Sequence, residues 1–192
     1  MPMKRPSLPF SRWRAGLGLC LALAASSVFA QAPAAGTEAS GSASAQWIQR
    51  MTDDKAWEAG HWRGAVAPYA PHWRPSAEHQ YVWAVGLERQ RADDWLGGAS
   101  FFSNSFGQPS AYVYLGKRFP QLLGQPQLFG QLSAGVLYGY VGKYKKKVPL
   151  NVNGFSPGAL ASVGWQFTPE LSLTMHLLGD AGAMFQLGWD FK

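Results

Sequence analysis

The sequence predicts an all-β fold: an eight-stranded antiparallel transmembrane barrel preceded by a short N-terminal amphipathic helix. Three observations predict it. Apolar residues make up 47% of the 192 positions, with nine Trp and eleven Phe, while only 15% are charged, against about 25% in ordinary soluble domains. Beyond the N-terminus no window offers the roughly 18 to 20 continuous apolar residues that a membrane helix needs. The apolar residues alternate instead with polar or small ones over many short segments, as in strands with one face toward lipid and the other toward a lumen.

Residues 1–30 read as a secretory signal, with Lys4, Arg5, Arg12 and Arg14 as a basic start, an apolar stretch over Ala15–Ala25 and a cleavage site at Val28-Phe29-Ala30. Cleavage there leaves thirteen Lys plus Arg against eleven Asp plus Glu, so the formal charge falls from +6 to +2. Without a basic stripe interleaved with aromatics, nucleic acid is not an expected partner. Cys20, the one cysteine, leaves with the signal, which excludes disulfides, thiolate catalysis and Cys-ligated metals. Residues 31–45, rich in Ala, Gly, Ser and Pro, form a flexible spacer, and 46–192 form the barrel domain with its N-terminal helix. From Gln46 to Ala59, Trp47, Ile48 and Met51 fall at helical spacing opposite Asp53, Asp54, Lys55 and Glu58, as in a helix lying at a membrane surface.

The strands follow in order. Pro68, Pro71 and Pro75 forbid a regular central strand, so an irregular first strand covers about Trp62–Tyr69, and a loop with His72 and His79 follows it. Tyr81, Trp83, Val85 and Leu87 alternate up to a charged turn over Arg89–Asp94. The stretch Asp94–Phe119 is a hairpin: Trp95, Gly97, Ala99 and Phe101 alternate with Leu96, Gly98, Ser100 and Phe102, and beyond the tip Ala111, Val113 and Leu115 alternate with Tyr112, Tyr114 and Gly116. Its many small residues make sense if a ligand lies against them. Leu128–Tyr140 is a long strand with Leu132, Ala134, Val136, Tyr138 and Tyr140 on one face. Ala159–Phe167, Leu171–Leu177 and Ala183–Phe191 complete the count, the last being a run of alternating aromatics like the assembly signal of bacterial outer-membrane barrels. Parity then puts His72, His79, Asn104, Ser105, the 143–153 loop and Gly179–Gly182 at one rim.

From Trp83 to Phe191 the chain resembles the outer-membrane lipid A palmitoyltransferases, the PagP family. The likeness is strongest over Trp83–Phe119 and in the words Val148-Pro149-Leu150 through Pro157 and Leu160-Ala161-Ser162-Val163-Gly164. It implies a bacterial outer-membrane location, a monomer, and movement of a phospholipid acyl chain to lipid A without metal or organic cofactor. It also implies a catalytic outer-loop His, matched by His72 with His79 as second candidate, and an adjacent Asp-Ser pair, matched by Asn104 and Ser105. Asn stands here where the family has Asp. Gly116, eleven residues beyond Ser105, matches the floor of the family's acyl pocket, and Pro149 and Pro157 resemble prolines beside its lateral lipid entrances.

Acyl transfer needs a base for the attacking hydroxyl, a group that orients the base and a donor for the oxyanion. His72 suits the first role, Ser105 that of nucleophile or oxyanion donor, and an Asn can orient a His by hydrogen bonding. The same residues have plainer readings: Asn104, Ser105, Gly107 and Pro109 as a turn, His72 as a loop residue, Gly116 as a close-packing glycine, His176 as a packed lumen residue. The Lys143, Lys145, Lys146 and Lys147 run is a solvated loop or a face for anionic phosphates. Trp83, Trp95, Trp165, Tyr138 and Tyr140 read as lipid-facing or interfacial aromatics. The competing function is a non-catalytic outer-membrane barrel that binds lipid or lipopolysaccharide.

Overall fold

The computed structural model describes Ile48, Gln49 and residues 52–192. The expected signal segment and spacer lie outside the described residues, as do Trp47 and Met51 of the expected helix. Ile48 and Gln49 are helical, but Thr52 and Asp53 are not, so the helix expected over 46–59 is not continuous. Its second part, α1 (Asp54–Glu58), starts where the Asp53 carboxylate accepts the Lys55 N–H at 3.1 Å, a side-chain N-cap. The helix is tied to the barrel: Ala92 N–H donates to the Ala56 carbonyl at 3.1 Å, Arg89 to the Trp57 carbonyl, and the Arg91 guanidinium sits over the Trp57 ring.

Eight strands close into an antiparallel barrel in sequence order: β1 (His61–Tyr69), β2 (Ala84–Gln90), β3 (Trp95–Ser103), β4 (Pro109–Phe119), β5 (Leu128–Tyr138), β6 (Phe155–Gln166), β7 (Leu171–Leu177) and β8 (Ala183–Phe191). The first strand is more regular than its prolines suggest. Pro68 sits where the β1–β8 register shifts between Val66 and Tyr69, a place where a missing N–H breaks no ladder bond. Corrections arise at three strand ends. β2 begins at Ala84, so Tyr81 and Trp83 precede it. β6 begins at Phe155, four residues ahead of the expected Ala159, with Pro157 in register opposite Val136. β5 stops at Tyr138, so Tyr140 belongs to no strand.

Alternation divides the side chains into two sets. Outside runs an exposed apolar surface with Val66, Val85, Leu87, Val113, Leu115, Leu132, Val136 and Leu187 along its middle. Trp62, Trp165, Phe167, Trp189 and Phe191 ring the end where β1 begins and β8 finishes, the terminal rim, whereas Tyr69, Trp83, Phe101, Tyr138, Phe155 and Phe185 ring the other, the loop rim.

Inside, the half nearer the terminal rim is a polar plug. Arg63, 2% exposed, donates from Nε and Nη2 to the two Asp190 oxygens at 2.5 and 2.7 Å. Glu88, 1% exposed, accepts from Tyr114 Oη at 2.8 Å and from Gln131 and Gln90 at 3.1 Å each. Mutual satisfaction is what makes such burial tolerable. Phe102, Leu137 and Leu160 pack on Leu96 and the stacked Tyr112 and Tyr114 rings, 4.7 Å apart, and nearer the loop rim the buried Ser110, Ser156 and His176 share the lining. The hairpin's small residues serve this packing rather than a ligand lying against them: a Cβ on Gly98 would come within 2.7 Å of the Tyr114 ring.

Candidate active site at the loop rim

Connections at the loop rim bring His72 and Ser105 together. His72 is held by backbone: Trp73 N–H donates to the Ala181 carbonyl at 3.0 Å and Ala183 N–H to the Pro71 carbonyl at 3.1 Å, forming a bridge between His72 and Gly182. Gly182 has to be glycine, since a Cβ there would run into the Pro71 carbonyl. The long loop between β1 and β2 is thereby pinned to the short β7–β8 turn.

Ser105 lies in the β3–β4 turn, which Asn104 organises. Asn104 is 1% exposed; its Oδ1 accepts the Phe106 and Gln108 N–H groups at 2.9 and 3.1 Å, and its Nδ2 donates to Ser110 Oγ at 3.1 Å. Its side chain thus bonds within its own turn, not to His72. The Ser105 carbonyl accepts the Gln80 N–H at 2.9 Å, which joins this turn to the His-bearing loop. Replacing Asn104 by Ala leaves two N–H groups short of an acceptor and is expected to destabilise the barrel by about 1–3 kcal/mol. Urea unfolding in detergent micelles measures this, and an unchanged midpoint would remove Asn104 from its organising role.

His72 Nε2 stands 2.7 Å from Ser105 Oγ, the reach of a base to a hydroxyl. Burial, followed by the charge of His79, holds the His72 imidazole below its ordinary value of 6.5. The His79 ring lies against it, tilted by 30° with centroids 4.1 Å apart, and meets Phe106 edge-on. Among the described residues no carboxylate bonds to either imidazole.

The sequence reading missed Tyr140. Read there as an outward aromatic continuing β5, it has φ +56°, and its side chain turns back toward Ser105, which bears on its phenol. Burial raises its pKa above 10, so the phenol stays protonated and can donate. Gly139 and Gly142 flank the tight turn and were the available signal that the strand ends before Tyr140.

Gly116 faces the lumen on β4, two inward steps beyond Tyr112. A Cβ there would stand 2.6 Å from the Leu132 carbonyl and 3.0 Å from Leu96 Cδ1, so glycine lets β4 and β5 pack closely at that level. Pro149 lies in the β5–β6 connection. His176 faces the lumen, 6% exposed, with Nδ1 2.7 Å from Ser162 Oγ.

The described chain is a closed eight-stranded antiparallel barrel carrying a Ser–His pair at one rim. No protein-family model matches the sequence, and no curated protein matches it. Among solved structures, the N-terminal β-barrel domain of Pseudomonas aeruginosa OprF is similar at 15% identity, covering 69% of this chain and 97% of that one, with a TM-score of 0.35.

Proposed function

We propose that the protein is an outer-membrane acyltransferase that moves an acyl chain from a phospholipid to lipid A. The observation that carries this reading is the 2.7 Å approach of His72 Nε2 to Ser105 Oγ. Membrane residence is supported by the apolar outer surface between two aromatic girdles, the pattern of a barrel that crosses a bilayer. A soluble monomer rarely exposes so large an apolar area. A route for lipid is supported by strand register. β6 pairs with β7 only from Ala161 onward, so Ser156–Leu160 pair with β5 alone. A side opening there would let an acyl chain pass from the bilayer to the lumen above the Tyr112 and Tyr114 stack.

In the proposed reaction Ser105 Oγ attacks the phospholipid ester carbonyl while its proton passes to His72 Nε2. Tyr140 Oη stabilises the developing negative charge. The ester C–O bond breaks, and the lysophospholipid alkoxide leaves with the proton from His72. A lipid A hydroxyl then gives its proton to His72 and attacks the acyl-Ser105 ester; the acyl–Oγ bond breaks, and Ser105 Oγ takes the proton from His72, which restores both side chains. Asn104 acts as a positioning residue through its turn, and Gly116 lies below the acyl-chain space. The competing reading, a lipid-binding barrel without chemistry, is favoured by the lack of a carboxylate on His72 among the described residues.

Mass spectrometry of lipid A separates the two. In a host without its own palmitoyltransferase, the wild type is expected to add one acyl mass and Ser105→Ala none. Unchanged lipid A around a folded, membrane-inserted wild-type barrel would overturn the transferase reading. Because His72 must be neutral to accept a proton and its pKa is lowered, the acid limb of kcat/KM is expected below pH 6.5, with full activity at pH 7. A limb centred at or above 6.5 would exclude His72 in this environment as the base.

A further inference from the structure

We propose that the β5–β6 connection, residues 139–154, is a phosphate-binding site that takes the phosphate monoester of an amphiphile at the bilayer surface. The inference is independent of acyl transfer at Ser105. It begins with charge. Lys143, Lys145, Lys146 and Lys147 crowd into one 3-10 segment, Gly142–Lys147, and residues 139–154 contain no acid. No salt bridge neutralises any of the four among the described residues, and Glu78 is the acid that bears on Lys143. Like charges held this close repel one another unless an anion lies among them.

Shape is the second observation. Beside this segment lies a cavity of about 600 Å³, open to solvent and lined by Lys145, Asn151, Asn153, Gly142 and Gly154 among others. Its wall is braced from within, for Asn151 Nδ2 donates to the Tyr140 carbonyl at 3.2 Å and Asn151 Oδ1 accepts the Gly154 N–H at 3.0 Å. Tyr140, Leu150 and Asn153 all take left-handed backbone, with φ of 56°, 52° and 52°. Non-glycine residues adopt that conformation at a cost, and here three of them shape one connection.

The connection is also fastened to the β3–β4 turn. Gln108 Nε2 donates to the Val141 carbonyl at 3.2 Å and Val141 N–H returns a bond to Gln108 Oε1 at 3.1 Å. Tyr144 stacks on Phe106 at 4.1 Å, and Lys147 Nζ lies 5.3 Å from the same ring. The cationic segment is therefore held against the rim. A doubly charged phosphate suits such a set of ammonium groups, and the outward Tyr138, Phe155 and Pro157 beneath it offer an apolar surface to a tail.

The test is calorimetric titration of the folded full chain in zwitterionic detergent with inorganic phosphate and, separately, with dihexanoyl phosphatidic acid. Dihexanoyl phosphatidylcholine serves as the control ligand. Saturable binding of phosphatidic acid, weakened at least tenfold by the double variant Lys145→Ala/Lys147→Ala and unchanged by Lys117→Ala at the opposite rim, is the expected result. Tighter binding of phosphatidic acid than of inorganic phosphate identifies the lipid headgroup as the source. Equal affinities identify free phosphate and overturn the amphiphile part of the proposal. No saturable binding of either, or binding that the double variant leaves unchanged, overturns the site. Heat-modifiable migration on gels confirms that each variant is folded.

Discussion

His72→Asn is expected to lower the rate of acyl transfer by roughly 10²–10⁴-fold, the usual contribution of a positioned general base. Asn can still hydrogen-bond Ser105 Oγ but cannot take its proton, so the substitution removes the chemistry and keeps much of the contact. The barrel should survive it. His72 is held by backbone bonds from Trp73 and Ala183, which any residue at that position can supply, and the ring is only part-buried. His79→Phe is the matched control: it preserves an aromatic ring against His72 and an aromatic contact with Phe106. If the two variants lose activity equally while remaining folded, His72 is not the base. If His72→Asn retains activity within tenfold, the Ser–His pair is not the reacting pair.

The second large effect concerns folding. Asp190→Ala leaves the Arg63 guanidinium, 2% exposed, without the carboxylate that both its donors reach. Removing one partner of a buried ion pair costs about 3–5 kcal/mol, much of it from stranding the other charge. His61 Nε2, 3.5 Å from Asp190, gives no relief because it is a further cation when protonated. The double variant Arg63→Met/Asp190→Leu strands neither charge and is expected to recover most of the loss. Equilibrium urea unfolding in micelles reads all three proteins. A double variant no more stable than Asp190→Ala would show that the plug depends on this ion pair for more than charge compensation.

The barrel was legible because period two is imposed by geometry: a strand with one face outward and the other toward a lumen has to alternate, and Tyr112, Tyr114 and Gly116 share one face as their spacing required. Strand ends were less legible. Tyr140 continues the parity of Leu132, Ala134, Val136 and Tyr138, and the positive φ at Gly139 and Tyr140 removes it from that face. The glycine-rich hairpin suggested room for a ligand, but sequence spacing does not reveal which ring fills a gap across the sheet, and Tyr114 fills the one at Gly98. The meeting of His72 with Ser105 depends on the pinning of a fourteen-residue connection, 70–83, to the β7–β8 turn. That contact spans more than a hundred residues of chain and leaves no local trace.

The polar plug has an electrical consequence. An ion entering from the loop rim would meet Arg63 bonded to Asp190, and Glu88 bonded to Tyr114, Gln131 and Gln90. Passage would require shedding its hydration shell and breaking bonds with no water at hand to replace them. Inserted into a planar bilayer, the protein should behave as an insulator and add no steady current.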